Sequence, residues 1–265
     1  MRSFQREVLG YYRRNCRDLP WRKTRDPYCI VVSEIMLQQT QVPRVIAKYD
    51  GFIRKFPTTE SLARAPLRSI LAAWQGLGYN RRALFLQKFA RQVLERFKGT
   101  IPDQRRLLST VPGIGDATAG SICAFAFGQP VVFIETNIRS VFIHHFFKDK
   151  EGVSDRELLP LVEEALYRKD PRTWYSALMD YGVHLKATRA NPSRKSSHYV
   201  RQSRFQGSDR QIRGRILALL VKRPLAPAAL FDAVAADRRR IQKLINVLLE
   251  EGFLTRRNGL LGIAR

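Results

Sequence analysis

Residues Leu107 to Gly128 read LLSTVPGIGDATAGSICAFAFG, and this stretch decides the fold. The apolar positions before Val111 and the small-residue run after Gly115 each suit a helix, while Pro112-Gly113-Ile114-Gly115 suits an abrupt reversal between them. Two glycines around one aliphatic residue let the backbone turn within a few residues and bare its N–H groups beside a helix N-terminus. Such a turn fits a phosphate: the amides donate, the helix dipole helps, and no base identity is read. Pro112, Gly113, Ile114 and Gly115 are therefore candidate contacts to a nucleic-acid backbone, with an ordinary αα-hairpin as the plainer alternative.

Working outward, 61–74, 81–97 and 157–167 place apolar residues three and four apart, with Pro and Gly between them and no convincing period-two runs. A mainly α domain over 1–185 is expected. The stretch 186–207, KATRANPSRKSSHYVRQSRFQG, is basic and poor in aliphatics, as befits a linker or an extended segment along DNA. Over 208–265 helical periodicity returns in three runs, and Asn258-Gly259 marks a tight turn between two β-prone runs. Three helices and a hairpin form a winged-helix-like pattern. Arg238, Arg239, Arg240 and Lys243 open its third helix, and Arg239 is the chosen DNA contact; a small interaction domain with a solvated basic face is the alternative.

The whole chain has 265 residues, 47 Lys and Arg against 23 Asp and Glu, and a formal net charge of +24. That excess costs self-repulsion, so a polyanion, double-stranded DNA, is the expected partner. The basic residues are spread along the chain rather than gathered on one amphipathic helix, which argues against a membrane surface. No apolar run approaches a membrane span and the N-terminus lacks a signal-peptide core, so a cytoplasmic protein is expected, nucleoid-associated in a cell without a nucleus and nuclear in a cell with one. A monomer is expected; composition says nothing of protein partners. Cys16, Cys29 and Cys123 are too few and too scattered for a four-thiolate cluster, and no metal site is read from side chains. His144 and His145 read as packing or phosphate-side residues, His184 and His198 lack partner spacing, and Trp21, Trp74 and Trp174 read as core.

The stretch that opens the argument is a helix-hairpin-helix motif, and five blocks in order extend the likeness. LPWR (Leu19 to Arg22), SEIMLQQTQV (Ser33 to Val42), GLGYNRRALFL (Gly76 to Leu86), VPGIGDATAG (Val111 to Gly120) and Ile134 to Val141 resemble the MutY-type adenine DNA glycosylases, relatives of endonuclease III. The resemblance runs from Tyr11 through Gly182. It implies a two-lobed helical glycosylase domain and hydrolysis of an N-glycosidic bond in a nucleotide flipped out of the helix. By that resemblance Glu34 protonates the leaving adenine and then helps handle water. Set among Val31, Val32, Ile35, Met36 and Leu37, it reads as a half-buried glutamate early in a helix, with a raised pKa. On pattern alone it could equally be a surface glutamate. Gln38 and Gln39 match glutamines that enter the duplex beside the flipped nucleotide, and Tyr79 matches an aromatic wedge at the opposite base, although such residues are also common at helix ends.

The sequence also departs from the family. Asp followed by Gly-Asn becomes Glu135-Thr136-Asn137, so the carboxylate under the sugar gains a methylene, about 1.5 Å of reach. Glu135 is kept as the oxocarbenium stabiliser, with a structural role at a helix start as the alternative, and Asn137 as a DNA contact. The lysine that lets relatives cut the backbone is Ala117 here, which implies base removal without efficient β-elimination. No cysteines follow Gly182, so no iron–sulfur cluster is expected; the hairpin leaves room for a monovalent cation. Arg189 and Lys195, with neighbouring basic residues, would supply the phosphate contacts. A glycosylase for another base, and a non-catalytic DNA-structure binder, are the competing readings.

Overall fold

The computed structural model describes residues 1–202 and 204–264. Among them the chain forms α1 (Arg2–Asn15), α2 (Pro27–Leu37), α3 (Val42–Lys55), α4 (Thr59–Arg64), α5 (Leu67–Trp74), α6 (Arg81–Phe97), α7 (Arg105–Leu108), α8 (Asp116–Phe127), α9 (Thr136–Phe146), α10 (Asp155–Glu164), α11 (Pro171–Thr188), α12 (Asp209–Lys222), α13 (Pro227–Ala233) and α14 (Arg238–Glu250), then β1 (Leu254–Arg257) and β2 (Leu260–Ile263). The architecture is mainly α, as expected. Packing divides the chain into two compact units, 1–34 with 102–201 and 35–101 with 202–265, the first crossing falling inside α2.

In the first unit α11 is the central helix, packed by α1, α8 and α9 around Phe4, Phe133, Phe142, Trp174 and Tyr175. Two glycines set the closest approaches. A Cβ on Gly182 would stand 2.6 Å from the Asn137 carbonyl oxygen, and one on Gly120 2.7 Å from the Phe133 Cβ. Gly182 thus lets α11 touch the first turn of α9. Asp180, buried on α11, accepts from Arg17 Nε at 2.6 Å and from both Arg22 guanidinium nitrogens at 2.8 and 2.7 Å. The LPWR block is therefore structural: Trp21 is buried and Arg22 ties the N-terminal segment to α11.

The stretch expected to be a linker from Lys186 differs. α11 runs on to Thr188, and Pro192–Lys195 form a 3-10 turn packed on α9. Asn191 Oδ1 accepts from Ser193 N and Oγ, the Lys195 carbonyl accepts from Val153 N at 2.9 Å, and Ser197 N donates to Val153 O at 3.0 Å. Buried Pro192, Ser193 and Ser196 give this basic segment a fixed seat that its composition concealed.

In the second unit α3 to α6 enclose Phe52, Trp74 and Phe89. Residues 208–264 show the expected order of three helices and an antiparallel hairpin, with Leu225 bridged to Leu261. They do not stand apart as a separate unit. α12 packs on α5, Arg68 donates to the Val221 and Lys222 carbonyls ending α12, and Arg81 and Arg213 share Glu251.

Candidate active site

α2 is apolar on nearly every side, so any polar group it carries inward is desolvated. Glu34 is half-buried and lies in the last turns of α2, not early in the helix as the pattern had placed it. Ser121 Oγ, on α8, donates to Glu34 Oε2 at 2.6 Å. Burial pushes the Glu34 carboxyl up to about 7; the Ser121 hydrogen bond pulls it down and the charge of Glu135 pushes it further up. A carboxylate near the C-terminal end of a helix also faces the negative end of the dipole. Glu34 is therefore a carboxyl that holds and gives up a proton near neutral pH.

Ser121 went unseen in the sequence. Ala117 has no hydroxyl, but Ser121 stands four residues on, the next position on the same face of α8. That spacing was the available signal. Ser121 Oγ also contacts the Thr118 carbonyl at 2.9 Å. With one proton, the hydroxyl donates to Glu34 when Glu34 is ionised. When Glu34 is protonated it can donate back to Thr118 and accept from Glu34. Both protonation states of the acid are hydrogen-bonded.

Glu135 is the N-cap of α9. Its Oε1 accepts from Asn137 N at 2.6 Å and Ile138 N at 2.9 Å, and its Oε2 from Asn137 Nδ2 at 3.1 Å. The extra methylene is thus taken up by curling the side chain onto its own helix. Burial raises the Glu135 pKa, while these amides, Lys186 and Arg139 lower it. The two carboxyls lie close enough for Glu135 to act on Glu34 through space. Asn137 spends its amide on Glu135; its Oδ1 is buried without a hydrogen-bond partner among the described residues.

In the hairpin, Gly113 carries the left-handed backbone (φ 88°) and Ile114 is buried, anchoring the loop. Gly115 is extended and caps α8 with no side chain, and a Cβ there would meet nothing within 4 Å. The opening helix shrinks to α7, a single turn. Asp116 would repel a phosphate at this N-terminus, but Arg105 pairs with its carboxylate. Arg189 is exposed, whereas Lys195 Nζ donates to the Lys148 carbonyl at 2.5 Å and pairs with Glu151.

Among the second-unit candidates, Gln39 (φ 52°) and Tyr79 (φ 46°) both adopt left-handed backbone, costing roughly 1–2 kcal/mol each. Tyr79 Oη accepts from Arg210 and Gln202, and two guanidinium carbons, of Arg210 and Arg82, lie 5.1 and 5.6 Å from its ring centroid. Arg82 was missed by sequence reading. Buried, it donates to the Ile35, Met36 and Gln38 carbonyls that end α2 and to the Leu77 and Gly78 carbonyls before Tyr79. One guanidinium thereby fixes the segments carrying Gln38, Gln39 and Tyr79. Arg239 is exposed on α14.

The model of the HhH-GPD superfamily of base excision DNA repair proteins matches residues 32–164, half of the chain. The chain belongs to this superfamily. It is 31% identical to an adenine DNA glycosylase of Mycobacterium tuberculosis over 94% of its own length and 89% of that protein's. It is 40% identical to an adenine DNA glycosylase of Buchnera aphidicola, over 71% of this chain and 54% of that one. A solved thermostable thymine-DNA glycosylase superposes with a TM-score of 0.63 and 27% identity, covering 71% of this chain and 88% of that one. The superfamily match spans Glu34, Glu135, Tyr79 and the hairpin, while Arg189, Lys195 and Arg239 lie outside it.

The three cysteines do not come together as a metal-ligating group among the described residues. Cys16 is exposed, Cys29 lies in α2 and Cys123 is buried in α8, and no group of three or more metal-ligating side chains occurs among the described residues. His145 and the three tryptophans are packing residues: His145 meets Phe4 edge-on and hydrogen-bonds Tyr181, and Trp21, Trp74 and Trp174 are all buried.

Proposed function

We propose that the protein is a monofunctional adenine DNA glycosylase acting on mispaired adenine in duplex DNA. The observation that carries this is Glu34: a desolvated carboxyl with a pKa near 7, hydrogen-bonded by Ser121 and within the field of a second, capped carboxylate. Protonated Glu34 delivers its proton to a ring nitrogen of the flipped purine, and the C1′–N9 bond breaks with its electron pair leaving on the base. Glu135, its carboxyl oriented by two backbone amides and the Asn137 side chain, faces the oxocarbenium charge. Water adds to C1′, and ionised Glu34 takes up its proton. The products are free adenine and an abasic site. Gln38, Gln39 and Tyr79 fill the vacated stack, and the hairpin 112–115 with Arg189 holds phosphates.

Ala117 supports hydrolysis without efficient β-elimination, since α8 offers no amine there. The misfit of the cysteines supports a cluster-free enzyme in which the seat of 189–197 on α9 does the organising. The net charge fits a DNA-bound cytoplasmic monomer. A glycosylase for another base is the second reading, favoured by Glu135 and by the likeness to a thymine-DNA glycosylase. Duplexes carrying A opposite 8-oxoguanine or G, T opposite G, uracil and alkylated purines decide between them. Strand breaks at adenine that appear only after alkali, and vanish in Glu34→Gln, are expected. Breaks at a different base move the substrate, breaks without alkali overturn the monofunctional reading, and none at all favours a non-catalytic binder.

A further inference from the structure

Residues 208–264 carry eleven basic side chains, and four of them are held by partners within the protein. Arg210 holds Tyr79, Arg213 pairs with Glu251, Arg238 with Asp232, and Arg240 with Asp209 while also donating to Gly207 O. Arg239 and Lys243 differ: both are exposed, and neither pairs with a carboxylate among the described residues. They are four residues apart on α14, hence neighbours on one face. The opposite face, Ile241, Leu244, Ile245 and Leu248, is buried, so the helix cannot rotate to hide them. Gln242 and exposed Asn246 run along the same stripe, the amide of the first donating to the second at 2.8 Å. Two further exposed cations, Arg256 and Arg257, lead into the hairpin turn at Asn258.

We propose that this face of α14, with the hairpin arginines, is a second duplex-DNA surface that grips phosphates of undamaged DNA outside the base-excision site. A membrane would need the apolar face of α14, which is already buried. A protein partner for two bare cations and two amides would need a dense acidic patch. A duplex supplies phosphates at fixed spacing for the cations and groove edges for the amides, and the excess of 47 basic over 23 acidic residues is what such a partner neutralises.

The test is binding of the full chain to an undamaged duplex of about 20 base pairs, by fluorescence anisotropy over about 50 to 200 mM salt. Replacing both Arg239 and Lys243 with Gln is expected to lower the slope of log affinity against log salt by about 2 and to weaken binding roughly tenfold at 0.1 M. Arg256→Gln with Arg257→Gln should act the same way. Unchanged slope and affinity in both double variants would overturn the proposal. Because the probe carries no lesion, failure of the excision reading leaves this measurement standing.

Discussion

At the scale of single residues, the chemistry turns on how Glu34 holds its proton. A general acid must be protonated, so excision should be fastest below about pH 7 and decline as pH rises through that value. Ser121→Ala removes a donor to the ionised form, so the alkaline limb should move to higher pH and the plateau rate fall roughly tenfold through lost aim. A single-turnover pH–rate profile reads both, and an unmoved limb would reduce Ser121 to packing. The same carboxyl carries a stability cost. Its pKa rises from 4.5 unfolded to about 7 folded, so the folded state binds the extra proton between those values. Stability is fully present below about pH 4.5 and is lost as pH rises through 7. Glu34→Gln should therefore add about 2 kcal/mol of unfolding free energy at pH 8 after discounting for partial exposure, read as a higher thermal midpoint, with little change at pH 4. Equal midpoints at pH 8 would show that Glu34 is not desolvated. Glu34 and Glu135 were legible as residues from their motifs. Ser121 was not, because its spacing from Ala117 gives a shared helix face but not that Glu34 lies against that face.

Between elements, the decisive contact is the crossing of α11 and α9. Gly182 lets α11 lie against the backbone of Asn137, two residues beyond the carboxylate that caps α9. Gly182→Ala would drive a Cβ to 2.6 Å from the Asn137 carbonyl, a backbone atom that cannot swing aside. The expected cost is about 2 to 3 kcal/mol by overpacking, with base release falling further than stability because Glu135 is displaced. Urea unfolding and single-turnover kinetics on the same variant check both, and a silent substitution would mean that the crossing relaxes freely. Arg82 does comparable work in the second unit, gathering five carbonyls from the end of α2 and the loop before Tyr79. A sequence shows an arginine at the start of a helix; it does not show that three of the five carbonyls it satisfies come from a segment more than forty residues away.

For the whole molecule, the cysteine count makes a plain prediction. Purified protein should be colourless, with no absorbance near 400 nm, roughly where thiolate-ligated clusters absorb, and chelators should leave base release unchanged. A brown preparation would overturn the cluster-free reading. The sequence by itself determined the helical class, the hairpin, the two carboxylates and the charge that calls for DNA. The class, the hairpin and the charge are written in local spacing or in composition, which survive without a fold, whereas the two carboxylates were picked out by the family resemblance. Tertiary structure alone decided which groups are desolvated and what they touch. It put Ser121 on Glu34, curled Glu135 onto its own helix, seated 189–197 on α9 and bound 202–264 to 35–101. Proton affinity and hydrogen-bond partners depend on atoms distant in the chain, so only packing could reveal them.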